Sequence, residues 1–160
     1  MAANTAGSSV ARASAMASGG TTNAGGWVSI GRYNGSTGVA DISGGTFTQT
    51  GTDNQLLVGE AGTGRLTISG TGAVTSLGTA LVISNADVAV GTVNLDGGTL
   101  TARQVTAGAG GAGLGTLNFN GGLLVAGANA NASFINNLDA ATVQAGGAYI
   151  DSNGQTIAID

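Results

Sequence analysis

Apolar and polar residues alternate in one short phrase that recurs along most of the chain. The phrase is Gly-x-apolar-x-apolar-x-Gly-Gly-x-apolar, so every second residue of its first half is apolar. A period of two places successive side chains on opposite faces of a β-strand. Four clear copies and one degraded copy occur: GVADISGGTF from Gly38, GRLTISGTGAV from Gly64, GTVNLDGGTL from Gly91, GTLNFNGGLL from Gly115 and ATVQAGGAYI from Ala141.

The copies are regularly spaced, because their starts lie 26, 27, 24 and 26 residues apart. The pattern predicts inward pairs at Ala40/Ile42, Leu66/Ile68, Val93/Leu95 and Leu117/Phe119, and outward residues at Asp41, Thr67, Asn94 and Asn118. After a glycine corner, we expect a second strand in each copy, whose inward residues would be Phe47, Val74, Leu100 and Leu124. A third apolar stretch precedes the next copy at residues 27–30, 56–58, 81–83 and 134–135. Each repeat therefore predicts three short strands.

A single repeat of this kind cannot bury its own apolar face, but stacked repeats can. The sequence therefore predicts an all-β fold, a right-handed parallel β-helix (β-solenoid) of about five coils of 24–27 residues, with three short strands per coil. Like positions would stack at about 4.8 Å, giving a prism roughly 24 Å long. Handedness follows from the general chirality of parallel crossovers. Corner glycines would supply positive φ and tight bends, and the absence of proline suits strands that donate to the next turn.

The two ends of the chain differ from its middle. We expect residues 1–25 to form an N-terminal arm or cap and residues 26–160 to form the solenoid domain. The segment SSVARASAMAS predicts a short helix or an extra strand over the first coil, with a disordered arm as the alternative. The final GQTIAID has no capping pattern, so we expect an open last coil that continues into more coils or stacks on another molecule.

Composition narrows the possible partners. The 160 residues include 31 glycines, no proline, cysteine or histidine, and 8% charged residues, against about 25% in ordinary domains. Four arginines stand against eight acidic residues, so no basic patch is available for nucleic acid or an anionic membrane. No apolar run reaches the ~18 residues of a membrane span. We therefore predict no nucleic-acid partner and no membrane insertion within this chain.

The repeats resemble a known family. LLVGEAGTGRLTISGTGAV, GTVNLDGGTL and GTLNFNGGLLVAGANANASFINNL, followed by ATVQAGGAYIDSNGQTIAI, are similar to the autotransporter-associated β-strand repeats of large secreted bacterial proteins. The similarity covers residues from about 27 to 160. It implies a passenger-type segment of a secreted or cell-surface protein. Since the first twenty residues lack the basic and apolar regions of a secretory signal, we expect the export signal outside this chain.

Few residues could carry chemistry. Without His, Cys or Lys, thiol, Schiff-base and imidazole mechanisms are excluded. A polysaccharide lyase or glycosidase would have to use Asp41 and Asp96, with Arg65 between them. Two coils plus a two-residue offset separate the two α-carbons by about 12 Å, beyond the roughly 5 Å or 6.5–9.5 Å that glycosidase carboxyl pairs need. We therefore predict no catalytic residues and no enzymatic activity.

Ligand sites are equally sparse. GAGGAGLGTLNF, at residues 108–119, has the glycines of a calcium β-roll but no Asp ligands, and it lacks the Lys of a phosphate loop. We predict no metal and no cofactor. Trp27 and Tyr33 are candidates for stacking on sugars, but Trp27 opens an apolar strand, which favours a core or end-capping role. Asn34 and Asn131 each begin a glycosylation sequon, but such short patterns are expected by chance in a chain this rich in Asn, Ser and Thr.

The sequence thus favours a non-enzymatic stalk or spacer, or part of an adhesin passenger, in a secreted or cell-surface bacterial protein. The expected partners are neighbouring solenoid repeats or copies of the chain itself, bound through open coil ends. Surface glycans or a host receptor are further candidates. Two alternatives remain open. One is a self-assembling extracellular filament subunit that stacks coil end to coil end. The other is a polysaccharide-binding or lyase-like β-helix.

Overall fold

The structure is a computed structural model that describes residues 10–13, 20–108 and 112–160. Within these ranges the chain contains β-strands and no helix. The strands are β1 (Val10–Ala13), β2 (Thr21–Ala24), β3 (Val28–Ile30), β4 (Thr37–Ile42), β5 (Thr46–Gln49), β6 (Gln55–Val58), β7 (Thr63–Ser76), β8 (Ala80–Ile83), β9 (Val90–Ala102), β10 (Val105–Thr106), β11 (Leu114–Phe119), β12 (Leu123–Ala126), β13 (Ser133–Asn136), β14 (Ala140–Val143), β15 (Tyr149–Asp151) and β16 (Ala158–Ile159).

These strands form a parallel β-solenoid of about five turns. The turns are β4–β6, β7–β8, β9–β10, β11–β13 and β14–β16, and each strand pairs in parallel with its counterpart in the next turn. One sheet has ten strands and the other has six, in the order β16-β13-β10-β8-β6-β3. The predicted fold class is therefore confirmed. In the second and third turns the first two predicted strands join into the long strands β7 and β9.

The apolar positions of the repeat stack in register, as predicted. One column runs Ile42, Ile68, Leu95, Phe119 and Val143, and a second runs Phe47, Val74, Leu100, Leu124 and Ile150. In the three middle turns, the members of these columns are almost completely buried in one hydrophobic core. Since burying a Leu or Ile side chain contributes about 1.5–3 kcal/mol, these columns provide the main stabilisation of the fold.

The first glycine of each repeat also forms a column, consisting of Gly38, Gly64, Gly91 and Gly115. These four glycines do not have positive φ, unlike the corner glycines Gly45, Gly97 and Gly121. Instead, a Cβ on Gly91 would overlap the carbonyl oxygen of Val58, at the end of a strand in the other sheet. The repeat therefore begins with glycine because the two sheets come into backbone contact there.

The predicted alignment of the fifth copy is wrong by two residues. The copy was placed with Ala141 in the position of Gly115, whereas the structure pairs Ala141 with Leu117, so that Asp139 takes the glycine position. The Asp139 carboxylate accepts a hydrogen bond of 2.6 Å from the Gly115 N–H, and the Asp139 N–H donates to the Gly115 carbonyl. The extra two residues lie between the first and second strands of this turn, since Leu123 pairs with Tyr149.

One fully buried polar residue links three successive turns. The Gln49 amide nitrogen donates to the carbonyl oxygens of Gly51 at 2.7 Å and of Gly26 at 3.3 Å. Its amide oxygen accepts from the Gly78 N–H at 2.9 Å and from the Ser76 hydroxyl at 3.4 Å. Because its donors and its acceptor all have partners, burial of this amide does not leave an uncompensated polar group.

Two strands lie within the predicted N-terminal arm. The strand β1 pairs with β4, and β2 pairs with β5, both in parallel. Together with β3, they extend the stack on its N-terminal side. Of the alternatives for SSVARASAMAS, the extra strand is the one observed at Val10–Ala13, while residues 8–9 and 14–18 of that segment lie outside the described residues.

Candidate functional site at the C-terminal coil

The last turn ends the stack with an exposed apolar surface. Val143, Ile150 and Ile159 continue three buried columns, lying in register over Phe119, Leu124 and Ile135. Val143 and Ile159 nevertheless expose 62% and 56% of their surface, whereas the residues beneath them are buried. We call Val143, Ile150 and Ile159 the end face. Each of the three sides of the coil contributes one residue to it.

The backbone of the last turn is also unpaired on its outer side. Among the described residues, β14, β15 and β16 pair only with β11, β12 and β13. Their free edges therefore present N–H and C=O groups in the same parallel arrangement that joins every other pair of turns. An edge strand of this kind is a template for pairing with another chain segment. The end face and the free edges together offer one more coil both hydrophobic contact and a hydrogen-bond ladder.

The candidate catalytic carboxylates have separate partners. Asp41 lies 3.3 Å from the Arg65 guanidinium, in an ion pair in which both side chains are nearly half exposed. Asp96 instead accepts a hydrogen bond of 3.2 Å from the Asn120 amide on the next turn. In the strand register Asp41 aligns with Thr67 and then with Asn94, two turns away. Asp96 lies two residues beyond Asn94, so Asp41 and Asp96 are separated by the predicted two turns and two residues. Arg65 bridges to Thr67 rather than to Asp96.

Side-chain amides form a short ladder on the outer face of the larger sheet. The Asn118 amide donates to the Asn94 amide oxygen at 2.8 Å, one turn away. Asn120 adds a second step, since it donates to Asp96 and accepts from the Gly146 N–H at 3.0 Å. Stacked Asn residues of this kind tie successive parallel strands together. Side-chain amides thus join the third turn to the fourth, and the fourth to the fifth, on this face.

Part of the glycine-rich segment at residues 108–119 forms a strand. Of residues 108–119, the stretch 109–111 lies outside the described residues, and Leu114–Phe119 forms β11. No cluster of three or more His, Cys, Asp or Glu residues that could hold a metal ion occurs in the part of the chain that the structure describes. The same part contains no helix long and apolar enough to cross a membrane.

Of the two roles predicted for Trp27, core or end-capping, the core role is wrong. Val28 pairs with Leu56 and points inward, so Trp27, one residue earlier, lies on the opposite side of the strand. Its side chain is 61% exposed and lines a cleft with Ser29, Arg32 and Glu60. The apolar neighbours of Trp27 favour a core position. The alternation of Val28 and Ile30, which both point inward, is the sequence signal that places Trp27 on the outer side.

Comparison with known proteins gave no relative. No family model, curated protein or solved structure matches this chain.

Proposed function

We propose that this chain is a non-enzymatic structural repeat module, a stalk or spacer, within a secreted or cell-surface bacterial protein of the autotransporter-passenger type. The observation that carries the proposal is the in-register stacking of about five parallel turns around one continuous hydrophobic core. Each further turn of this kind would lengthen the stack by one strand spacing. The module would then extend the protein by a fixed length and hold another module at a distance.

Two features of the described turns support a mechanical role. The core columns and the Asn ladder run parallel to the stacking axis, so each turn is joined to the next by apolar contacts and hydrogen bonds. The outer face of the larger sheet is built mostly from Thr, Asn and Ser, with one exposed ion pair between Asp41 and Arg65. Exposed pairs contribute only about 0–1 kcal/mol, so stiffness depends on the stacked strands and little on salt.

A stiff spacer should resist proteases in its native state. Trypsin can cut this chain only after Arg12, Arg32, Arg65 and Arg103, since it contains no lysine. We expect a native fragment that contains uncut Arg65 to persist, because Arg65 lies inside β7 and cleavage there requires the strand to open. Urea-unfolded chain is the control and should be cut at all four sites. Mass spectrometry would report the rate of cleavage at each site. If Arg65 were cut as fast in the native chain as in the urea-unfolded chain, the stiff rod would be ruled out.

The cellular location needs its own test. Antibodies against the purified chain should label intact cells of the bacterium that produces it. Labelling that requires permeabilised cells would contradict a surface or secreted location.

The same end face favours a second function, a filament subunit whose C-terminal coil stacks on the N-terminal strands of the next copy. Such head-to-tail contacts do not close and generate fibres. A filament predicts species that grow with concentration beyond the 15.1 kDa monomer in sedimentation velocity, and growth that Val143→Asp abolishes. A monomer at all concentrations would contradict the filament. The matched control is Val88→Asp, because Val88 is equally exposed, at 61%, but lies in a turn between β8 and β9.

A further inference from the structure

A cleft on the outside of the first turns combines an exposed aromatic ring with polar side chains. It has a volume of about 250 Å³ and is lined by Trp27, Ser29, Arg32 and Glu60. Drug-sized ligands occupy pockets of about 300–1,000 Å³, so this cleft has room for a smaller molecule, about one ring. Trp27 is the single tryptophan of the chain, and its side chain is mostly exposed.

The charged side chains of the cleft lie near each other and keep free hydrogen-bonding capacity. The Arg32 Nε atom lies 3.6 Å from the Glu60 Oε2 atom, longer than the roughly 2.7–2.9 Å of a close charge-assisted hydrogen bond. The Arg32 guanidinium also lies over the Tyr33 ring, 5.3 Å from its centroid. Arg32 is thus positioned between an acid and an aromatic ring, with N–H groups still available for a ligand.

Ser29 adds a buried hydroxyl at the wall of the cleft. Its oxygen has no hydrogen-bond partner among the described residues. In the strand register Ser29 aligns with Leu57 on the next turn. Leu57 is buried and apolar, so its side chain offers no hydrogen-bond partner. Because a buried hydroxyl without a partner is unfavourable, a ligand hydroxyl that reaches it would gain a hydrogen bond and remove this penalty.

We propose that this cleft binds one neutral pyranose ring of a saccharide. The apolar C–H face of the ring would pack on Trp27, whose π-face is electron-rich. Two neighbouring hydroxyls would bridge the ion pair, one accepting from the Arg32 guanidinium and the other donating to the Glu60 carboxylate. The Glu60 carboxylate disfavours acidic sugars, because a uronate would place a second negative charge beside it. The site does not depend on the spacer role and involves no reaction.

Tryptophan fluorescence tests the proposal directly, since Trp27 is the single tryptophan in the chain. The probes are the methyl pyranosides of glucose, galactose, mannose and N-acetylglucosamine, with methyl glucuronide as the charged comparison. We expect at least one neutral sugar to change the emission saturably, with a dissociation constant on the order of millimolar. Unchanged emission with every neutral sugar, confirmed by the absence of saturation-transfer NMR signals, would overturn the proposal. So would tighter binding of the glucuronide.

Variants then locate the site, with binding measured by saturation-transfer NMR. Trp27→Ala should weaken binding at least about tenfold while leaving the β circular-dichroism spectrum unchanged, because the side chain is exposed. Glu60→Gln should reduce the preference for neutral sugar over glucuronide. The matched control is Tyr149→Ala, which removes an aromatic side chain of similar exposure from the last turn and should not change binding. Equal binding by Trp27→Ala and the unmodified chain would overturn the assignment.

Discussion

Replacing Leu95 with Asp is expected to unfold the domain. Leu95 is fully buried at the centre of a five-residue column, with Ile68 and Phe119 in register on the adjacent turns. Removing the leucine side chain costs about 2–5 kcal/mol, and burying an unpaired carboxylate costs several kcal/mol more. Because a domain of this size is stable by only about 5–15 kcal/mol, the sum reaches the whole stability. Far-UV circular dichroism should lose its β signal.

The matched control for Leu95→Asp is Thr92→Asp on the same strand. Thr92 is three positions away, on the outward side of the alternating strand, and it aligns with Arg65 on the preceding turn. An added carboxylate there meets solvent and a positive charge, so we expect a native spectrum and a urea midpoint close to that of the unmodified chain. A full β signal in Leu95→Asp, with an unchanged urea midpoint, would show that this column is not the core.

The next largest effect is expected for Gly91→Ala. The added methyl group would overlap the Val58 carbonyl oxygen, which accepts a 2.8 Å hydrogen bond from the Ser84 N–H. The added Cβ would also overlap the Ser84 nitrogen, just beyond the end of β8, so the backbone at this point would have to move apart and that hydrogen bond would stretch. We estimate a loss of about 3 kcal/mol, at the upper end of the usual cost of overpacking. The melting temperature should fall by roughly 6–12 °C for a chain of this length.

The control for Gly91→Ala is Gly25→Ala, at a glycine whose added Cβ has nothing within 4 Å. Gly25 also lacks a positive φ, so alanine fits its backbone. Such a substitution changes stability by only about 1 kcal/mol or less, and can be stabilising because it restricts the unfolded chain. Differential scanning calorimetry should therefore separate the two variants. If they melt together, the backbone contact at Gly91 is not required for the packing of the sheets.

The sequence was sufficient to predict the architecture because the same physical constraint is repeated in each turn. Alternation at Leu66/Ile68 and Val93/Leu95 predicts inward positions, and the regular spacing predicts which of them stack, so the columns agree with the register. The repeat also contained the glycine column, but pattern alone could not give its cause. Positive φ and close backbone approach both select glycine, and only the three-dimensional structure distinguishes the two causes at Gly91.

The errors lie where the pattern weakens. The strand β10 was not predicted, since Val105 is its single inward apolar residue and the neighbouring turns supply its packing. The fifth copy was misaligned because Asp139 replaces the glycine that marks each start. The role of Gln49 could not be predicted, because its partners come from the preceding and following turns and no local motif identifies them.

The direct register between equivalent strands has a genetic consequence. Gly64 pairs with Gly91 and Gly91 with Gly115 although the intervening segments differ by three residues, so connecting segments absorb changes in length without disturbing the strands. A tandem duplication or deletion of one repeat unit in the gene would therefore add or remove a complete layer and leave the remaining contacts intact. We expect related genes to differ in copy number more readily than in the phase of the repeat.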